Sequence, residues 1–280
     1  VSRRNNLERT GAPQPDAPTP PIQETGDLFS FVTPTEFVVL PSAGALYPEG
    51  HPLRDQEAVE IRHMTAKEED ILTSETLLKR GLAIDRLVNS VMVDKSIKVD
   101  DLLVGDKNAI LLASRITGFG PLYEVSITCP SCATQQEKEF DLSTIEIKET
   151  DLSEVEATDR GTYKFELPVT KVMLEIRLLK SSDERTISKN NEQRKKKKLP
   201  ENNTTTLLSS IMVSANDVED RSQLLRFAEL MPVRDSQYVR TLYDKIKPDI
   251  DMRFDFVCSN CEHDGKVVMP LTAEFFWPNR

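Results

Sequence analysis

The sequence predicts an α+β chain: a mainly helical N-terminal domain, a β unit formed by two distant CxxC hairpins, and an α/β insertion between them. Three observations carry this. Apolar stripes at helical spacing follow one another between residues 65 and 118. All four cysteines fall in two units, Cys129-Pro130-Ser131-Cys132 and Cys258-Ser259-Asn260-Cys261. Each unit is entered by an alternating strand and left by another extended stretch.

Residues 1–28 hold five prolines, Pro13, Pro15, Pro18, Pro20 and Pro21, and almost no large apolar side chain. Such a segment cannot offset its ordering entropy by burial. It reads as a flexible tail or as an extended arm that orders on a partner. The chain then divides into a helical domain (29–121), the CxxC unit (122–142 with 252–280) and the insertion (143–251).

In the helical domain, Leu28–Leu40 is rich in Phe and Val and predicts an extended segment. Pro41-Ser42-Ala43-Gly44 and the stretch from Tyr47 to Pro52 predict turns. Ala58–Arg62 alternates as a strand. Thr65 followed by Glu68 is a capping box, and Ile71, Leu72, Leu77 and Leu78 extend one helix towards a stop at Gly81. A second helix carries Ile84, Leu87, Val88 and Val91. A third opens at Asp106 and carries Ile110, Leu111 and Ile116 before Gly118. The acidic pairs Glu68-Glu69 and Asp100-Asp101 read as solvated helix starts.

Tyr123–Thr128 predicts the strand into Cys129, and Gln135–Leu142 the strand away from Cys132. In the insertion, Thr162–Leu167 and Val172–Leu179 predict a hairpin. Asp183–Lys198 predicts a solvated helix whose basic end, Arg194 with Lys195–Lys198, complements the helix dipole or docks an acidic neighbour. Leu224, Leu225, Phe227, Ala228 and Leu230 predict a helix stopped by Pro232. Val239, Leu242, Tyr243 and Ile246 predict another that opens at Asp235. Met252–Val257 is the strand into Cys258, and Gly265–Leu271 the stretch beyond it.

The 280 residues carry a formal net charge of −10. An acidic surface repels phosphate backbones and anionic membranes, so neither nucleic acid nor membrane is an expected partner. No apolar run approaches the roughly 20 residues of a membrane span. Nothing apolar follows Arg3-Arg4, so no secretory signal is read, and folding in the cytosol is expected.

Reduced cytosolic cysteines in CxxC pairs are more often metal ligands than disulfides. A two-residue spacing lets both thiolates reach one ion from a tight turn, and four thiolates close a tetrahedral zinc site. Cys129, Cys132, Cys258 and Cys261 are therefore the expected ligands of a structural Zn2+, and the β unit is zinc-ribbon-like. Redox pairs and disulfides are the competing readings. Redox pairs usually sit at a helix N-terminus, whereas strands follow both pairs here. His263 lies close to the second unit and could substitute as a ligand, but with four cysteines available it reads rather as a residue beside the site or on the surface.

Four cysteines leave no open position for catalysis. The three histidines, His51, His63 and His263, lack metalloenzyme spacing, and no phosphate loop or nucleophile elbow is present. A structural, non-enzymatic protein is expected. A zinc ribbon that binds nucleic acid is the alternative, but it would want basic and aromatic residues. Gln135, Gln136, Glu137 and Glu139 follow the first unit, and Glu262 and Asp264 the second.

Several words resemble the baseplate hub protein family of T-even-type contractile-tailed bacteriophages. They are Leu40-Pro41-Ser42 with Leu46-Tyr47-Pro48, the run from Val59 to Leu72, Asp101 to Asn108, and Glu274-Phe275-Phe276-Trp277-Pro278. With the CxxC units, the resemblance covers roughly residues 36–280. It implies a structural component of the central baseplate hub, located in the virion tail and assembled in the host cytoplasm. The implied partners are other hub, spike or tail-tube proteins, with multiple copies in a large assembly. A hub assembly chaperone that is not retained in the virion is also compatible with it. No catalytic residues carry over. Phe275, Phe276 and Trp277 are candidates for contacts with neighbours, although large aromatics more often pack within their own domain.

Overall fold

A computed structural model of the chain describes residues 33–276. The Pro-rich arm, Phe29, Phe31, Trp277 and Pro278 lie outside the described residues.

β1 (Thr35–Val39) and β2 (Ala58–Arg62) pair antiparallel, with Val38 opposite Val59. Alternation puts Val38, Val59 and Ile61 inside, while Phe37 on the opposite face is 73% exposed. The turns between the strands run over residues 41–55. There Gly44 has φ +72°, and an added Cβ would lie 2.4 Å from the backbone of Leu53 and Gln56.

α1 (Ala66–Thr73) opens with the capping box of Thr65 and Glu68. The single helix expected through Leu78 is instead two. Ser74 is extended (φ −65°, ψ 106°), and α2 (Glu75–Lys79) restarts after it. Thr73, Ser74 and Thr76 favour such breaks because their hydroxyls compete for backbone partners; Thr73 Oγ1 donates to the Glu69 carbonyl at 2.9 Å. Of the predicted stripe only Leu72 is fully buried, and Leu78 is exposed.

α3 (Ala83–Val91) buries Leu87, Val88 and Val91 completely. α4 (Val104–Phe119) starts two residues before the predicted Asp106, runs through Gly118 and ends at Gly120, whose φ is +85°. Asp106 lies in its first turn and is fully buried.

β3 (Leu122–Thr128) and β4 (Gln135–Asp141) form an antiparallel hairpin. The insertion then supplies β5 (Glu156–Ala157), β6 (Thr162–Glu166), β7 (Met173–Arg177) and, after two helices, β8 (Met212–Ala215). They form one four-stranded sheet in the order β5-β6-β7-β8. The β6–β7 hairpin is as the alternation predicts. β5 and β8, of two and four residues, are too short to show periodicity and join through pairing alone.

α5 (Ser181–Lys196) is the predicted polar helix, with Asp183 and Glu184 in its first turn and Arg194, Lys195 and Lys196 in its last. α6 (Asn203–Ile211) was not legible, because Thr204, Thr205 and Thr206 are poor helix formers; its buried Leu208 and Ile211 hold it. α7 (Arg221–Leu230) buries Leu224 and Ala228, but Leu225 and Leu230 of the predicted stripe are exposed. α8 (Val233–Ile246) buries Val239, Leu242, Tyr243 and Ile246. It opens at Val233, not Asp235. The Asp235 carboxylate accepts the backbone N–H groups of Val169 and Thr170, at 2.8 and 3.0 Å, in the β6–β7 turn.

β9 (Arg253–Val257) and β10 (Asp264–Val268) make the last hairpin. From Thr35 onward the chain is one compact unit, and a single buried apolar cluster runs from Val38 to Phe276. Phe275 and Phe276 pack inside this cluster: Phe275 lies 5.1 Å from Tyr123, and Phe276 lies 6.2 Å from Phe119, between ring centroids. They are core residues of their own chain. Among the described residues, no helix is long and apolar enough to cross a membrane.

Candidate metal centre

The two CxxC units are the turns of the two outlying hairpins, and they share one local conformation. In the β3–β4 turn, Cys129 N donates to Thr134 O and Ala133 N donates to Cys129 O, both at 2.9 Å. In the β9–β10 turn, Cys258 N donates to His263 O and Glu262 N donates to Cys258 O, both at 3.0 Å. The fifth residue of each turn takes the left-handed conformation, Ala133 at φ +55° and Glu262 at φ +56°. Each turn thus folds back on its first cysteine and aims two sulfurs the same way.

The hairpins are separate two-stranded sheets, brought together by their inner faces. Ile127, Phe140, Phe254 and Phe256 are buried there, and the Phe140 and Phe254 rings lie 4.8 Å apart. This apolar floor holds the turns opposite each other.

All four sulfurs lie within 4.8 Å of one another. The short cross-hairpin separations are 3.8 Å for Cys129–Cys261 and 3.7 Å for Cys132–Cys258. A disulfide would need about 2.05 Å, and all four cysteines are free. Four thiolates around one ion with metal–sulfur bonds of about 2.3 Å would stand about 3.8 Å apart on a regular tetrahedron. The donor set and spacing fit a metal ion. The His263 ring is not part of the group; its backbone carbonyl does the work, closing the second turn.

Four polar residues to which sequence reasoning gave no role at the site, Thr134, Gln136, Ser259 and Asn260, knit the turns together. Gln136 donates its Nε2 to Cys258 Sγ at 3.2 Å. Its Oε1 accepts from Ser259 N and Oγ at 3.1 and 2.9 Å. Asn260 answers from the other side, donating its Nδ2 to Thr134 Oγ1 at 3.1 Å and lying 3.6 Å from Cys132 Sγ. The only sequence signal was the placing of amides beside cysteines, which many surface turns share.

These bonds set the thiol acidities. The hydroxyl and backbone N–H of Thr134, then Asn260, hold the Cys132 thiol down, to about 5. The backbone N–H of Cys261 leads the groups that lower Cys258. At Cys261 the His263 backbone favours the thiolate, but the crowding sulfurs outweigh it and push the thiol up to about 11.

Two further polar centres lie under the words singled out in the sequence. Asp106 accepts from Ser42 N and Oγ at 3.0 and 2.6 Å and from the Tyr47 hydroxyl at 2.7 Å. Glu68 is also buried rather than solvated, and takes a two-pronged contact from Arg62 with further bonds from Ser90 and Thr65. Both tie separate segments together.

A family model described as T4 bacteriophage base plate protein matches residues 36–277. Nothing matches among curated proteins, and nothing among solved structures.

Proposed function

We propose that this chain, which belongs to the T4 bacteriophage base plate protein family, is a structural subunit of the central hub of a contractile-tail baseplate, held in shape by one zinc ion on Cys129, Cys132, Cys258 and Cys261. The family match over residues 36–277 carries the baseplate role. The convergence of four sulfurs from two distant hairpins supports the metal.

Zinc is the metal the donors favour, because a closed set of four thiolates suits a soft tetrahedral ion with no open position. The ligands frame residues 133–257, and closing so long a loop costs about 4 kcal/mol. Structural zinc supplies on the order of 10–16 kcal/mol in small domains. The ion therefore fastens both ends of the insertion. In this reading 122–142 with 252–280 is a zinc-ribbon-like unit, and 143–251 is carried between its hairpins. The chain works by contact with other hub, spike or tail-tube proteins and performs no chemistry.

Quantitative mass spectrometry of purified virions tests the role. The expected result is this chain at a fixed small-integer ratio to other baseplate proteins. Its absence from infectious particles, with assembly still dependent on it, would replace the component reading with that of an assembly factor.

A further inference from the structure

Among the described residues, the acidic chain carries a strongly basic groove. It lies between the C-terminal end of α2 and the outer face of α5, encloses about 550 Å³, and is lined by Lys79, Arg80, Arg185, Lys189 and Lys196 with Glu192 as a lining acid. Lys79 and Arg185 are steadied by Glu75, Asp85 and Asp100. Arg80, Lys189 and Lys196 are exposed and form no ion pair among the described residues. No lining side chain is aromatic, so the groove offers no surface for stacking bases. It suits a carboxylate-rich polypeptide.

A segment of that chemistry lies elsewhere on the same chain. The stretch from Glu146 to Asp159 is almost wholly exposed and largely without regular structure. Its Glu146, Glu149, Glu156 and Asp159 form no ion pair among the described residues. The stretch is bound to α8 and the residues just after it, through Asp151 N to Lys245 O, Lys148 N to Asp249 O and Glu154 to Lys245. No ion pair joins it to α2 or α5 among the described residues.

We infer that the α2–α5 groove of one copy receives the acidic 146–159 segment of a second copy. Two different patches meet in such a contact, so it either runs head to tail into a ring or open chain or is made twice about a two-fold axis. Exposed charges form it, so salt weakens it.

Sedimentation velocity of the purified full chain tests this at low and high NaCl, with K189E/K196E as the groove variant and E149K/E156K as the segment variant. The wild type should self-associate, and high salt should reverse it. Each variant alone should associate at least about tenfold more weakly. An equimolar mixture of the two should associate again, because reversed groove and reversed segment are complementary. All four positions are exposed, and unchanged circular dichroism would show that the variants fold. A wild type that stays monomeric, variants that associate like wild type, or a mixture that fails to recover would each overturn the inference. None of those results would touch the zinc centre or the family role.

Discussion

The Tyr47 hydroxyl donates to the Asp106 carboxylate at 2.7 Å while accepting the Leu103 backbone N–H at 3.1 Å, and neither side chain reaches solvent. One phenol thereby ties the turns after β1 to the first turn of α4. Tyr47→Phe should destabilise the fold by about 2 kcal/mol, since it orphans a buried N–H and removes one donor from Asp106. Asp106→Ala should cost about 3 kcal/mol or more, because Ser42 and Tyr47 then lose their acceptor together. Urea unfolding midpoints measure both. Wild-type stability in Asp106→Ala would contradict an anchoring role.

Glu68 makes stability depend on pH. Burial alone would raise its pKa, but Arg62, Ser90 and Thr65 outweigh that and hold it at about 2. A depressed carboxylate contributes stability that is present above its unfolded value, near 4.5, and lost as pH falls towards 2. Glu68→Gln should be less stable than wild type at pH 6 by roughly 3 kcal/mol. The gap should close between pH 4.5 and pH 2. A gap that stays constant over that range would show that the charge on Glu68 is not what stabilises it.

Gly105→Ala in α4 should reverse the usual sign of that exchange. In an open helix, alanine gains up to about 1 kcal/mol over glycine. Here an added Cβ would sit 2.0 Å from the Pro248 carbonyl oxygen and 2.8 Å from its carbon, both backbone atoms. The helix and the chain after α8 must then separate, at a cost of about 3 kcal/mol. Thermal melts of the variant would reveal it, and a raised melting temperature would refute the close approach.

Metal analysis should find one zinc per chain. Chelation should raise hydrogen exchange first in the β3–β4 and β9–β10 hairpins, because metal–sulfur bonds would supply the strongest link between their turns. Cys129→Ser should do the same without chelator. Full protection of both hairpins in metal-free protein would mean that the apolar floor suffices and the ion is dispensable.

Gln136→Ala should keep the four ligands and speed zinc release about tenfold, since it removes the donor to Cys258 and both bonds to Ser259. A colorimetric chelator follows the rate. Gln136→Glu should be worse than alanine, because it sets a carboxylate against the thiolates. Equal rates in all three proteins would reduce Gln136 to a surface residue.

Much of this was legible locally. Alternation located β2, β3 and β9, the hydroxyl–carboxylate spacing located the start of α1, and the CxxC spacing named the four residues whose sulfurs meet. Where local signals were weak, the reading failed. Ser74 breaks a stripe that looked continuous, and β8 has only four residues. Leu230 belongs to an apolar stripe yet stands 70% exposed. Asp106 and Glu68 look like ordinary acids at helix starts, and only their buried partners distinguish them.

By itself the sequence determined the features whose causes lie within a few residues along the chain: strand alternation, the helix cap and the paired-cysteine turns. Backbone sterics and side-chain reach decide those without help from distant segments. Tertiary packing alone decided which acids lose their water, which leucines face out, and that Gln136 and Asn260 bridge turns more than 120 positions apart. Those outcomes depend on which faces become neighbours, a property of the whole folded chain that no short window of residues contains.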